Sequence, residues 1–274
     1  MLFRPRSSLD AEEQRRFAAM NDMLNPTSVG MLRLRGGERI LDVGCGLGQL
    51  SRAMARAAGQ DGSVVGIVQN ASWLAEAKRQ ADGAAELPAV EFRAGLPHYP
   101  PLEAEEWGRF DLVHGRFILE QVPSPERVVE AMVRAARPGG RIVLEDDDAA
   151  LMVLWPEPGG FHALWEGYVG WCKKEEYDPF VGRRLVSLLR GAGAVPLRSV
   201  SLSVSTCAGS PSFKPLLGIV TAMFEGAGAP MLSRGAIKKK DYEAGIAGLQ
   251  AWAALPEAAL WYSTCWAEGR RPSS

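Results

Sequence analysis

Residues 39–48 read RILDVGCGLG, and this stretch decides the fold. Its first half is a short apolar run with β-branched residues, which is typical of a buried strand. Its second half is a glycine-rich turn, and LSRAMARAAG at 50–59 then places apolar residues at helical spacing. A strand, a tight turn and a helix open a βαβ unit. Gln49 stands where the dinucleotide fingerprint GxGxxG requires its third glycine, so that fingerprint is broken.

The alternation of strand and helix continues along the chain. Apolar runs at 64–68, 89–93, 110–114 and 141–145 predict strands two to five. Helices are predicted at 73–78, capped by Asn70 or Ser72, and at 125–137, with Pro125 at the first helical position. A further helix is predicted at 181–190, and two more strands at 197–205 and 260–266. Strands that alternate with helices predict a parallel sheet covered on both faces.

Three segments lie outside this alternation. An N-terminal helical segment is predicted at 8–35, with a break at Asn25-Pro26. Two insertions, at 149–180 and 211–255, are predicted to form a cap over the sheet edge. The first of them holds seven aromatic residues. The chain is thus predicted to be one domain over 1–274, with its core at 36–148, 181–206 and 258–268.

Composition excludes several classes of function. There are 31 Lys and Arg against 32 Asp and Glu, so the formal net charge is −1. Such a chain has no broad attraction for nucleic acid or for an anionic membrane. The four cysteines form no CxxC pair, which argues against a zinc site and a disulfide framework. Without an apolar signal sequence or a run of about 18 apolar residues, we expect a reduced, cytoplasmic protein with no membrane span.

Four motifs occur in the order and at the spacing of a known family. ILDVGCGLG at 40–48 resembles the first motif of the class I S-adenosylmethionine-dependent methyltransferases. FDLV at 110–113, EQVP at 120–123 and RPGG at 137–140 resemble later landmarks of that family. The resemblance implies a Rossmann-like α/β fold, with a seven-stranded, mostly parallel sheet whose final hairpin adds one antiparallel strand. It also implies S-adenosylmethionine as cofactor, bound over residues 42–48.

The donor site is predicted beyond the carboxyl ends of the strands, beside the first strand, where open parallel sheets bind ligands. Amides of the glycine turn would face the donor's carboxylate or ribose, and Asp42 would meet its ammonium. Family members usually carry an acid after strand two, and often one after strand three, where Val68 and Leu96 stand here. Neutral hydrogen bonds from Gln69 or Asn70 would then serve the ribose. The predicted donor-binding residues are Asp42, Gly44, Cys45, Gly46, Gln69, Asn70, Leu96, Pro97 and Gly115.

The acceptor side is predicted from polar residues at strand ends and from the aromatic insertion. His114 is a candidate general base, or a hydrogen-bonded core residue. Arg116 is a candidate for catalysis and for holding an acidic group of the acceptor, or it forms an ion pair with a neighbouring carboxylate. Asp146 and Asp147 would hold a cationic acceptor, or would cap a helix or face solvent. Oxygen ligands alone are unspecific, so no metal ion is predicted. An apolar acceptor wall, or plain packing of the cap, is predicted for Trp155, Trp165 and Trp171.

These residues together predict methyl transfer from S-adenosylmethionine to a small, apolar or aromatic-containing acceptor of secondary metabolism. The sulfonium donor is already activated, so holding the acceptor in line supplies most of the acceleration without a clear base. The alternative is a protein of this fold that has lost turnover and acts in binding or regulation. Val68 and Leu96 favour that alternative, whereas the intact turn favours the enzyme. The predicted partner is a small molecule, not a nucleic acid or a membrane.

Overall fold

The computed structural model describes residues 11–83 and 90–273, and its strands form one sheet. The strands are β1 (Arg39–Val43), β2 (Ser63–Val68), β3 (Val90–Ala94), β4 (Phe110–Arg116), β5 (Ala136–Trp155), β6 (Val195–Cys207) and β7 (Ala259–Arg270). Their order is β3-β2-β1-β4-β5-β7-β6. The first five strands run parallel, and β7 is antiparallel to both β5 and β6. The predicted Rossmann-like fold, with one antiparallel strand from the final hairpin, is therefore confirmed.

Helices cover both faces of this sheet. They are α1 (Ala11–Leu32), α2 (Gln49–Ala58), α3 (Ala71–Gly83), α4 (Pro125–Ala135), α5 (Phe161–Lys174), α6 (Leu185–Gly191), α7 (Phe213–Ser233) and α8 (Lys239–Trp252). Apolar residues of α1, α2 and α3 pack on one face, and those of α4 and α6 pack on the other. Burial on both faces explains why β1 and β4 read as short apolar runs rather than as alternating patterns.

The first helix is continuous through Pro26, so the predicted break at Asn25-Pro26 is wrong. Proline removes one helical hydrogen bond and crowds the preceding turn, which is why the sequence favours a break. Tertiary contacts hold the helix together on both sides of this residue. The Arg116 guanidinium donates to Asn21 Oδ1 at 2.6 Å, to Asn25 Oδ1 at 2.7 Å and to Ser28 Oγ at 3.1 Å. Packing against β4 thus overrides the local preference.

Strand β5 is far longer than the run predicted at 141–145. Beyond a register shift between Asp147 and Met152 it continues to Trp155, paired with the first half of β7. The predicted cap insertion at 149–180 therefore begins as strand, and its α-helix is α5. The extension depends on pairing with residues more than a hundred positions later, so no local period of the sequence reveals it.

A helical layer of α5, α7 and α8 packs against the extended part of the β5–β7 pair and against α1. Its centre is aromatic: the Tyr168 ring centroid lies 5.7 Å from that of Trp171 and 5.6 Å from that of Phe224. By length and composition alone, α7 would suffice to cross a membrane. Nine of its residues are buried in the protein, which is the behaviour of a core helix.

Candidate active site

A cavity of about 370 Å³ opens at the carboxyl ends of β1, β2 and β4. Its volume lies within the range of ligand pockets, about 300–1,000 Å³. The strand order reverses between β1 and β4, and open α/β sheets bind ligands at such a reversal. The residues that line it are Phe17, Met20, Asn21, Asp42, Gly44, Cys45, Gly46, Leu47, Gln49, Leu50, Val68, Gln69, Asn70, Trp73, Arg116, Phe117, Ile118 and Gln121.

The glycine turn after β1 is shaped by close packing on one side and by the cavity on the other. Gly48 has φ +70°, and a Cβ there would lie 2.3 Å from the Phe92 ring. Gly46 has φ +56°, but a Cβ there would meet only the Trp73 ring, at an ordinary 3.5 Å. Gly48 is therefore required by the fold. A larger side chain at 46 would instead extend into space that a ligand would fill.

Fewer amides of this turn are open to a ligand than the sequence suggested. The Gly44 and Cys45 amides both donate to the Ile67 carbonyl of β2, at 2.9 and 3.0 Å, and the Gly48 amide donates to the Cys45 carbonyl at 2.9 Å. Within the described residues, the Gly46 and Leu47 amides have no backbone acceptor. These two N–H groups, just before α2, are the ones placed to meet an anion or a hydroxyl group.

Asp42 is the penultimate residue of β1, and it is buried where it lines the cavity. Ser51 Oγ donates to its Oδ2 at 2.5 Å, and His114 Nδ1 lies 3.0 Å from its Oδ1. Two bonds leave further acceptor positions on the carboxylate for a ligand cation. Burial and the charge of Asp42 raise the pKa of the neighbouring Cys45 thiol, so this thiol stays protonated at neutral pH.

His114 does not occupy the position of a general base. It is fully buried in β4, and it does not line the cavity. Its hydrogen bond to Asp42 instead fixes the orientation of that carboxylate. The catalytic role predicted for His114 is corrected to the alternative, a hydrogen-bonded core residue.

Arg116 lines the cavity at the end of β4 and is only 8% exposed. Its guanidinium donates to the neutral side-chain oxygens of three α1 residues, Asn21, Asn25 and Ser28. No carboxylate among residues 11–83 and 90–273 comes within 4.0 Å of the guanidinium, so the predicted ion pair is not formed there. Arg116 therefore joins α1 to the sheet and presents a positive charge at the cavity.

Asp146 and Asp147 of β5 are buried and lie outside the cavity lining. Asp146 accepts a hydrogen bond from the Leu119 amide at 2.8 Å, and Asp147 accepts one from the Tyr262 hydroxyl. Burial and the charges of Glu120 and Asp147 raise the pKa of Asp146 well above its ordinary value. Neither aspartate lines the cavity or faces solvent. The acceptor-binding role predicted for them is therefore corrected to a structural one.

The three tryptophans do not form one wall. Trp155 is 65% exposed near the end of β5, where it pairs with Ala259. Trp165 and Trp171 pack within the aromatic centre of the helical layer, and neither lines the cavity. Trp165 and Trp171 thus fit the alternative, packing of the cap, because both rings contact Tyr168, whereas the exposed Trp155 takes no part in that packing.

Three of the predicted donor-binding residues also fall outside the cavity lining. Leu96 is 40% exposed and forms an isolated backbone bridge with Tyr99, while Pro97 and Gly115 are buried elsewhere. The remaining six, Asp42, Gly44, Cys45, Gly46, Gln69 and Asn70, all line it. Asn70 Oδ1 also accepts from the Ser72 amide at 2.9 Å, so Asn70 is the predicted cap of α3.

Sequence reasoning missed the contributions of α1 and α3 to the cavity. Phe17, Met20 and Asn21 line it from α1, and Trp73 lines it from the first turn of α3. The Phe17 and Trp73 rings meet edge to face, with centroids 4.7 Å apart. The Trp73 indole is 3% exposed, and its Nε1–H has no acceptor among the described residues. The sequence does show two apolar residues three positions apart, Phe17 and Met20. This spacing does not distinguish a helix that lines a cavity from one that packs in a core.

The chain resembles known proteins over most of its length. Residues 12–197 match the model of a family described as a methyltransferase domain. The chain belongs to this methyltransferase family. The match supports S-adenosylmethionine as the cofactor, as the sequence motifs implied.

Individual relatives of this methyltransferase domain share part of their length with it. A ubiquinone biosynthesis O-methyltransferase of Xanthomonas oryzae is 36% identical over 124 residues, 44% of this chain and 49% of that protein. The chain spans about half the length of the curated relatives it matches. A provisionally assigned methyltransferase of Bacillus halodurans C-125 has a solved structure with TM-score 0.61, 18% identity, and coverage of 91% of this chain and 99% of that one. The [4+2]-cyclase SpnF gives TM-score 0.55 at 18% identity, covering 99% and 86%. The two structures show the shared fold.

The cavity fits this cofactor by its own chemistry. S-adenosylmethionine carries an ammonium, a carboxylate, a ribose and an adenine, and supplies an electrophilic methyl group when bound. Asp42 offers a carboxylate for the ammonium, and the Gly46 and Leu47 amides offer donors for an anion or a hydroxyl group. The buried N–H of Trp73 has no acceptor among the described residues, and a nucleoside bound in the cavity would offer one.

Proposed function

We propose that this methyltransferase domain transfers the methyl group of S-adenosylmethionine to a small acceptor with an apolar or aromatic body. The observation that carries the proposal is the mixed character of one cavity. Asp42 and the open amides of the turn share it with the apolar side chains of Phe17, Met20 and Phe117. A polar donor and an apolar acceptor would thus lie side by side in a single cavity.

Rate acceleration in such a site comes from position more than from proton transfer. His114 lies away from the cavity, and we assign no general base. A nucleophilic acceptor needs only to be held in line with the methyl group, and well-oriented reactants gain a large effective concentration. Helix α1, tied to β4 through Arg116, covers the cavity and would exclude water from the reacting atoms.

Calorimetric titration with S-adenosylmethionine and S-adenosylhomocysteine tests the donor half of the proposal. Gly46→Val should weaken binding at least tenfold, because the side chain would occupy the ligand's space. Gly235→Val is the matched control, since Gly235 has φ +60° and no atom within 4 Å of a Cβ built there. Both variants carry similar backbone strain, about 1–2 kcal/mol, so only the first should lose the ligand. Equal affinities in the two variants would contradict the assignment of the turn.

A second candidate function is binding without turnover. Val68 favours it, because this side chain is 7% exposed and lines the cavity where family members usually carry an acid. A protein of this kind would bind both nucleosides in the titration. It would release no S-adenosylhomocysteine when incubated with S-adenosylmethionine and a panel of phenols, amines and aromatic acids. Release of S-adenosylhomocysteine with any member of the panel decides for the enzyme.

A further inference from the structure

The charge of Arg116 has no opposite charge close to it in the part of the chain that the structure describes. Its side chain is enclosed by α1 and β4, and all three of its hydrogen bonds go to neutral amide or hydroxyl oxygens. Glu145 is its register partner on β5, but that carboxylate accepts a hydrogen bond from Thr264 at 3.3 Å and forms no ion pair with the guanidinium. Asp42, the other acid at the cavity, is bound to Ser51 and His114.

An enclosed cation without a counter-ion is costly. Burying a charge is tolerated when the charge is paired and hydrogen-bonded, and neutral oxygens replace only part of the lost solvation. A guanidinium has five N–H donors, and three hydrogen bonds account for three of them. The two remaining donors have no partner among residues 11–83 and 90–273. Because Arg116 lines the cavity, a ligand within the cavity is a source of an anion for them.

We propose that Arg116 binds a carboxylate of the ligand that occupies this cavity. A guanidinium matches a carboxylate in geometry as well as in charge. Two molecules of the proposed reaction can carry that group: the amino-acid end of the methyl donor, or an acceptor that has one carboxylate on an apolar body. In the first case Asp42 and Arg116 together take the two charges of an amino acid. The proposal rests on the proposed function, because that function says which molecules enter the cavity.

Four probes separate the two sources. S-adenosylhomocysteine carries the amino-acid carboxylate, and 5′-methylthioadenosine has the same nucleoside without it. Benzoate and benzamide have similar shapes, and only benzoate is charged. Each is titrated into the wild-type chain, Arg116→Gln and Ser28→Ala. The last variant is the control, because it removes one bond between Arg116 and α1 while keeping the charge, and Ser28 does not line the cavity.

A charge-assisted contact predicts a loss of about 10- to 150-fold in affinity when Arg116 is replaced. If the donor supplies the carboxylate, Arg116→Gln binds S-adenosylhomocysteine more weakly by this factor and methylthioadenosine as before. If the acceptor supplies it, S-adenosylhomocysteine binding is unchanged, and the preference for benzoate over benzamide disappears. Ser28→Ala should keep the wild-type pattern in either case.

The proposal is overturned if Arg116→Gln matches the wild-type chain for all four probes, or if Ser28→Ala loses the carboxylates as fully as Arg116→Gln does. Should Arg116→Gln fail to fold, the wild-type chain still decides: equal affinity within both pairs of probes shows that no carboxylate is recognised. Failure of the proposed function has a different signature. The wild-type chain would then bind neither nucleoside, whereas the benzoate pair would still report on Arg116.

Discussion

Trp73→Phe tests the assignment of the cavity with a minimal change. The substitution removes the indole N–H, which has no acceptor among the described residues, and keeps an aromatic ring against Phe17. If that N–H meets a nucleoside oxygen or nitrogen in the complex, the variant loses one hydrogen bond to the ligand. The free protein, in contrast, loses no hydrogen bond between the residues that the structure describes.

The structure sets the expected magnitudes. A neutral hydrogen bond contributes about 0.5–1.5 kcal/mol, which corresponds to a loss of about 2- to 13-fold in affinity. In the free protein, an unsatisfied buried donor costs about 1–3 kcal/mol, and its removal relieves that cost. The smaller ring gives up packing of about 1–2 kcal/mol. The two changes oppose each other, so the free energy of unfolding should move by no more than about 2 kcal/mol.

Trp252→Phe is the matched control for this experiment. Trp252 is 2% exposed, its Nε1 has no partner among the described residues, and it lies on α8 away from the cavity lining. Both variants are measured by urea unfolding without ligand and by calorimetry with S-adenosylhomocysteine. We expect similar unfolding energies, with weaker binding in Trp73→Phe only. Unchanged binding in Trp73→Phe, or equal losses in the two variants, would refute the role of this N–H.

Three further predictions follow from other parts of the molecule. Val68→Asp should tighten S-adenosylhomocysteine binding severalfold by calorimetry, because it restores an acid where the family usually holds one; weaker binding would mean that this position does not face the ribose. Asp146→Asn should flatten the pH dependence of the free energy of unfolding measured with urea. Because the pKa of Asp146 is raised in the folded protein, the wild-type chain loses stability as pH rises above 3.8, the ordinary pKa of an aspartate. The amide of the variant does not ionise, so it lacks this loss. A parallel pH dependence in the variant would place the titration elsewhere. If the helices at 161–174 and 213–252 form a lid, limited proteolysis should cut them preferentially in the free protein, and S-adenosylhomocysteine should protect them. Equal cutting with and without the ligand would indicate that these helices are a rigid part of the fold.

The central part of the fold could be predicted from sequence because its signals are local. The run at 39–48 contains a strand, its turn and the start of a helix, and Asn70 marks the start of the next helix with a side chain that caps it. Six of the nine residues predicted for the donor line the cavity for the same reason. Four of them belong to the end of β1 and the turn attached to it, and Gln69 and Asn70 directly follow β2.

The remaining features depend on contacts between distant segments, which a single sequence does not display. Arg116 keeps α1 helical across Pro26, although the two lie some ninety residues apart. His114 was attractive as a base because it stands at a strand end, but alternation along β4 points its ring towards Asp42 and the sheet interior. The sequence predicts an acceptor wall of Trp155, Trp165 and Trp171, but Trp165 and Trp171 pack in the core that joins α5 to α7, and Trp155 is exposed.

The polar side chains of the cavity differ from those that the family resemblance implies. This difference affects which residues can determine ligand specificity. Val68 stands where an acid is expected after β2. Among residues 11–83 and 90–273, the Trp73 N–H has no acceptor and the Arg116 guanidinium has no carboxylate within 4.0 Å, and both residues line the cavity. Arg116 is also the link that holds α1 over the cavity. A ligand that engages this guanidinium would therefore act on the helix that encloses it. Recognition of the ligand and closure of the site would then depend on the same residue, and changes in α1 should alter both.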